Sequence, residues 1–197
     1  MKKVILSLAL AAGISATASA QATIGVKAGV NLSNVSGDGS GDAKNIVGFN
    51  AGLMADISFS DLLSFHPELL YSQKGAKLES GNIKLQQRTG YLDVPLLLRV
   101  KADGLFFEAG PQVGFLINQK NEYTNYPFLG TGSNTSTDGT RKVDIGYIAG
   151  LGYRLEQGLE FGVRYNGGIS DLSDPSGGAK TRNSVFQFQV GYSFGGN

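Results

Sequence analysis

The chain has 197 residues, with 17 Lys and Arg against 16 Asp and Glu, 29 Gly, 19 Tyr and Phe together, five Pro, no Trp and no Cys. The missing cysteines exclude disulfides, thiolate metal sites, a Cys nucleophile and lipoprotein processing, and the near-neutral charge removes any global basis for binding nucleic acid. Many glycines and aromatics with few prolines suit an all-β chain with tight bends.

The N-terminus reads as an export signal. Lys2 and Lys3 form a basic start, Val4 to Ile14 an apolar stretch, and Ala18-Ser19-Ala20 a small-residue cleavage site. That apolar stretch is short of the roughly 20 residues a spanning helix needs. We therefore divide the chain into a signal peptide, residues 1–20, and one domain, residues 21–197, starting at Gln21. Losing the two leader lysines takes the 17-to-16 balance to a net charge of −1.

From there the sequence alternates apolar and polar with period two, the spacing at which successive side chains of a strand point to opposite faces. Residues 23–32 set Ile24, Val26, Ala28, Val30 and Leu32 against Gly25, Lys27, Gly29 and Asn31. Residues 47–59 set Val47, Phe49, Ala51, Leu53, Ala55 and Ile57 against Gly48, Asn50, Gly52, Met54 and Asp56. The same pattern runs through 64–74 (Phe65, Pro67, Leu69, Tyr71 against His66, Glu68, Leu70, Ser72) and 90–101 (Leu92, Val94, Leu96, Leu98, Val100 against Tyr91, Asp93, Leu97, Arg99). It continues in 105–118, 143–155, 159–169 and 185–194, whose polar sides hold Glu108, Asp144, Arg154, Glu160, Arg164, Gln187 and Gln189.

These runs predict eight strands, mostly as long as the roughly 9–11 residues that cross a bilayer at a tilt, where ordinary strands have about 5–6. The links alternate: 60–63, 102–104 and 156–158 are short, whereas 33–46, 75–89, 119–142 and 170–184 are longer and polar. Outer-membrane barrels have short periplasmic turns and longer extracellular loops. A soluble barrel would turn its apolar face inward. Here that face is nearly free of charge, the opposite face is rich in Gly, and aromatics such as Phe59, Phe107, Tyr153 and Tyr192 at one end and Phe49, Tyr71, Phe115 and Phe186 at the other form two girdles. The expected fold is an all-β, eight-stranded antiparallel up-and-down transmembrane β-barrel, with short periplasmic turns and long extracellular loops, in the outer membrane of a Gram-negative cell. A lipocalin-like periplasmic binder of an apolar ligand is the soluble alternative.

Several segments carry a resemblance. Pro67-Glu68-Leu69-Leu70-Tyr71-Ser72-Gln73-Lys74-Gly75, Tyr91-Leu92-Asp93-Val94-Pro95-Leu96-Leu97-Leu98-Arg99, Gly110-Pro111-Gln112-Val113-Gly114 and Val163-Arg164-Tyr165-Asn166 with Gly168 resemble the small outer-membrane β-barrel family of Bacteroidota that includes PorT-like proteins, often labelled porin family or outer membrane protein beta-barrel domain. The resemblance spans the whole mature chain and allows a part in protein secretion. The closing Val190-Gly191-Tyr192-Ser193-Phe194 looks like a signal for the barrel-assembly machinery, although Gly195-Gly196-Asn197 follow the aromatic that usually ends such a chain.

The candidate site is the charge set on the inward face: Lys27, Asp56, His66, Glu68, Asp93, Arg99, Glu108, Asp144, Arg154, Glu160 and Arg164. An eight-stranded barrel is just wide enough for side chains to fill, and buried charges must pair. The set reads as a salt-bridged plug; the rival reading is a narrow gated pore for small solutes. Glu68, Asp93 and Glu108 on successive strands could meet Arg99, Arg154 or Arg164, and the register that decides the pairing is not contained in the sequence. His66 is the single histidine, and no metal motif, cofactor loop or catalytic set accompanies it, so no enzyme activity and no cofactor is expected. Asp38 and Asp42 supply too few carboxylates for a calcium loop. Tyr123, Tyr126 and Phe128 in the longest loop are candidates to grip a ligand or a protein partner. The remaining expected partner is outer-membrane lipid.

Overall fold

The computed structural model describes residues 21–37, 43–127, 130–137, 140–172 and 180–194; residues 1–20 and the last three residues lie outside these. Its strands are β1 (Gln21–Ser36), β2 (Ile46–Ser58), β3 (Leu63–Ser80), β4 (Ile83–Ala102), β5 (Leu105–Tyr126), β6 (Gly130–Thr135), β7 (Val143–Arg154), β8 (Leu159–Gly168) and β9 (Arg182–Phe194). All pair antiparallel in the order β4-β3-β2-β1-β9-β8-β7-β5, and β4–β5 pairing closes the ring, while β6 pairs only with β5. Closure joins β1 to β9 from Ile24↔Phe194 to Ser36↔Arg182 and β4 to β5 from Ala102↔Leu105 to Lys84↔Thr124. Closing the ring leaves it without a free edge, which lipid demands because it cannot hydrogen-bond an exposed backbone.

The alternation divides the faces as the side chains require. Leu98, Phe107, Leu151 and Phe188 point outward and are about half exposed, whereas Lys27, His66, Glu68, Arg99 and Asp144 point inward and are buried. Charge inside and aliphatic groups outside is a barrel turned inside out relative to a water-soluble one, so the lipocalin-like alternative falls. Glycines on the inward face make room for the large lumen groups. A Cβ on Gly150 would stand 2.5 Å from the Cβ of Arg164, and one on Gly191 would stand 2.9 Å from Cγ of Glu160. Two aromatic rows mark the apolar band. Phe49–Tyr71 and Tyr165–Phe186, with ring centroids 5.6 and 5.1 Å apart, sit toward the outer end, and Tyr192–Phe194, 5.4 Å apart, at the inner end.

The inner turns are short, as expected. Between β4 and β5 only Asp103 and Gly104 intervene, with φ of 48° and 84°, the left-handed pair that a two-residue hairpin turn requires. The outer side corrects the sequence reading in two places. Residues 75–89 are a hairpin rather than a loop: β3 and β4 stay paired up to Ser80↔Ile83, turning at Gly81 and Asn82. Within 119–142, β5 runs on to Tyr126 and β6 returns alongside it, a ninth strand outside the ring. Backbone pairing persists there although lipid no longer imposes the apolar-out rhythm, so periodicity alone missed it. At about 3.3 Å per residue, the 20 residues of β4 span about 66 Å, whereas the 10 of β8 span about 33 Å, little more than a tilted crossing. The surplus rises on the outer side as a sheet of β3, β4, β5 and β6.

Candidate functional site

All eleven charged residues singled out above face the lumen, and the register decides their partners. At the inner end Arg99 and Glu108 are direct cross-strand neighbours, as are Arg154 and Glu160. Arg99 Nη2 reaches Glu108 Oε2 at 2.7 Å and its Nη1 reaches Glu160 Oε2 at 3.0 Å, while its guanidinium stacks 3.8 Å above the Phe106 ring. Arg154 Nη2 lies 2.9 Å from both Glu160 and Asp56, and Lys101 lies 3.5 Å from Asp56. A carboxylate in low dielectric needs such partners, since an isolated buried charge is very costly.

One level higher, Lys27 Nζ meets Glu68 Oε1 at 2.5 Å, and Arg164 Nη1 holds the other oxygen at 2.8 Å. His66 Nε2 lies 3.2 Å from Glu68 Oε1, and its Nδ1 lies 3.9 Å from Asp56 Oδ2. Above this runs a belt of amides. Asn50 donates to Asn31 at 2.6 Å, Gln187 to Asn31 at 2.9 Å, Gln189 to Asn50 at 2.8 Å and Asn166 to Gln112 at 2.7 Å, and Arg164 Nε donates to Gln187 at 2.7 Å. At the top Lys74 Nζ lies 2.9 Å from Asp93 and 3.8 Å from Asp144, which also accepts from Asn183 and Ser170.

Glu68 thus meets Arg164 and Glu108 meets Arg99, whereas Asp93 meets Lys74. That residue and the amide belt were missing from the candidate set. One further step of the 66, 68, 70, 72 alternation would have found Lys74. The amides carry no charge to draw attention, and nothing in the sequence says that they meet.

The network separates two cavities. The inner, about 660 Å³, is lined by Arg99, Lys101, Phe106 and Arg154; the outer, about 550 Å³, by Ala76, Leu78, Leu85, Tyr91, Gln119 and Tyr123. Between them the gap beside Lys27, Glu108 and Glu160 has no room for a water-sized sphere. Ligand atoms of His66, Glu68 and Glu108 lie within 4.8 Å of one another, close enough for a divalent ion, but Lys27 and Arg164 already fill Glu68. Neither ring nitrogen of His66 makes a hydrogen bond to a hydroxyl, so the base–nucleophile contact of a hydrolase is missing at the single histidine. Of the loop candidates, Tyr123 lines the outer cavity. Tyr126 ends β5 in the backbone, and its side chain, like the whole of Phe128, lies outside the described residues, as do Asp38 and Asp42.

Comparison with known proteins agrees with this architecture. Residues 15–174 match the family model described as outer membrane protein beta-barrel domain. Among solved structures, the fold is similar to Ail, the attachment invasion locus protein of Yersinia pestis, at 18% identity and a TM-score of 0.54, covering 87% of this chain and 98% of that one. It is also similar to the Neisserial surface protein A, at 15% identity and a TM-score of 0.50, covering 88% and 99%. No curated protein matches the sequence at a significant level.

Proposed function

From the chain's membership of the outer membrane protein beta-barrel domain family, we propose that it is a closed barrel: an anchor that conducts nothing and works through what it holds above the outer leaflet. The observation that carries this is the lumen. Its cross-section is filled by side chains that neutralise one another, from Arg154–Asp56 at the inner end through Lys27–Glu68–Arg164 to Lys74–Asp93 at the outer. A pore along this axis would require breaking several buried ion pairs at once, and each break leaves an uncompensated charge worth about 3–5 kcal/mol. The outer sheet and its cavity then form a rigid platform for an interaction, the usual place for function above a stable scaffold.

Planar-bilayer recording of the refolded mature chain tests the reading. We expect no stepwise conductance at moderate voltage, and regular unitary steps would replace the anchor with the gated pore. The PorT-like resemblance supports a finer version in which the platform serves protein secretion. A deletion strain should then lose secreted proteins from the medium while small-solute permeability stays unchanged; undiminished secretion would remove this version and leave the anchor. By the same resemblance, Val190 to Phe194 serve as the signal to the assembly machinery, and the basic, apolar and small-residue pattern of residues 1–20 supports their role as the export leader.

A further inference from the structure

The strands that rise above the membrane keep their alternation but change what they show. Along the outward face of β3, Phe65, Leu69 and Tyr71 give way to Lys77 and Glu79; the paired strands continue with Lys84 and Arg88 on β4 and Lys120 and Glu122 on β5. Lys44 joins through an isolated bridge to Lys77. Among the described residues the sector therefore carries five cations, Lys44, Lys77, Lys84, Arg88 and Lys120, against two carboxylates, Glu79 and Glu122.

The carboxylates hold the cations in place more than they cancel them. Glu79 lies 2.7 Å from Lys44 and 3.2 Å from Lys77, and Glu122 lies 2.7 Å from Lys120. The hydrogen bonds from Lys44 and Lys77 bring the pKa of the Glu79 carboxyl down to about 2, so that carboxyl is ionised at neutral pH. Arg88 Nη1 donates to the Val47 carbonyl at 3.1 Å and to Gln73 at 3.2 Å, fixing the guanidinium at the edge of the apolar band beside the exposed Val47 side chain.

Height decides what this face meets. The row Tyr71–Leu92–Phe115 belongs to the outer aromatic girdle, and the row Gly75–Arg88–Lys120 lies four residues further along β3. At about 3.3 Å per residue and a tilt of about 40°, Arg88 and Lys120 stand about 10 Å above the girdle and Lys77 about 15 Å. A phospholipid interface is only about 5–8 Å deep on each side. The face thus looks sideways, continuous with the lipid-facing wall, at a height beyond the depth of a phospholipid headgroup.

We propose that the outward face of the β3–β4–β5 sheet is a binding site for the phosphorylated saccharide headgroup of an outer-leaflet glycolipid, with Lys77, Arg88 and Lys120 contacting the phosphates and Lys44 and Lys84 extending the contact upward. The acyl chains of that lipid lie along the apolar wall below, through Val47, Phe49 and Tyr71. Phosphates suit this face because they are matched by several cations on one rigid sheet, and the lipid tails make the contact bivalent.

The test is retention of purified lipopolysaccharide by the refolded mature barrel after gel filtration in detergent at low salt. The chain as it stands should retain it, and raising the salt to about 0.5 M should release it, as screening demands. A triple variant with Lys77→Gln, Lys84→Gln and Lys120→Gln should retain about ten-fold less or lower. Arg182→Gln, at the same end on another wall, should change retention by less than about two-fold. These side chains are exposed, so heat-modifiable mobility should show every variant folded; the salt arm and an arm with dephosphorylated lipopolysaccharide need no variant at all. Equal retention by the triple variant, or equal retention of the dephosphorylated lipid, overturns the site. Equally tight, lysine-dependent binding of soluble inositol hexakisphosphate overturns the lipid as its occupant, leaving a receptor for free polyanions.

Discussion

The two halves of strand β3 make opposite choices with one backbone. Within the membrane its outward side chains are Phe65, Leu69 and Tyr71 and its inward ones His66, Glu68 and Lys74; above it the outward ones are Lys77 and Glu79 and the inward ones Ala76 and Leu78. Pairing with β4 continues through the change from Leu70↔Asp93 to Ser80↔Ile83. Hydrogen bonds therefore do not distinguish the halves; the medium does. Against hydrocarbon, charge is tolerated only inside, where a partner waits. Against water and polar headgroups the same pleat turns its charges out and its small apolar groups toward the outer cavity. A strand is a two-sided ruler, and its surroundings decide which side is which.

Substitutions can press on this contrast. The largest effect is expected in the lumen. Arg99→Met takes from Glu108 its nearest cation, now at 2.7 Å, and from Glu160 a partner at 3.0 Å, leaving the latter to Arg154. It should cost about 3–5 kcal/mol, read from urea unfolding in lipid vesicles; a loss below about 1 kcal/mol would mean that the ion pairs do not support the barrel. On the lipid face, Leu96→Arg should cost about 2–4 kcal/mol near midplane, and an unchanged unfolding midpoint would place that face away from the hydrocarbon. The smallest effect belongs to the outer sheet. Lys84→Leu, a charge-to-apolar change opposite in sense to that at position 96, should stay within about 0.5 kcal/mol in the same titration. A large loss there would show that the outer sheet is bound into the barrel's stability rather than standing free above it.

Much of the fold was legible because a lipid-exposed strand must alternate. The inward positions of Lys27, His66, Arg99 and Glu160 followed from counting in twos, and the eight strands of the ring followed from the short and long links. The outer hairpins were not legible. Gln86, Gln87 and Thr89 carry no apolar rhythm, and no local signal distinguishes a polar strand paired in water from a polar loop. Asp93 pairs with Lys74, the next inward residue beyond Ser72 on β3, rather than with an arginine, because pairing across a lumen depends on stagger.

The sequence by itself determined that the chain is all-β, that its strands are long enough to cross a bilayer, and which side chains share a face, because side-chain direction on a strand is a local property of period two. Only the tertiary structure decided that Arg99 bridges Glu108 and Glu160, that Glu68 sits between Lys27 and Arg164, and that three strands outgrow the membrane. Those outcomes depend on the stagger between neighbouring strands and on the closure of β1 onto β9, and stagger is a relation between distant residues that no single stretch of sequence contains.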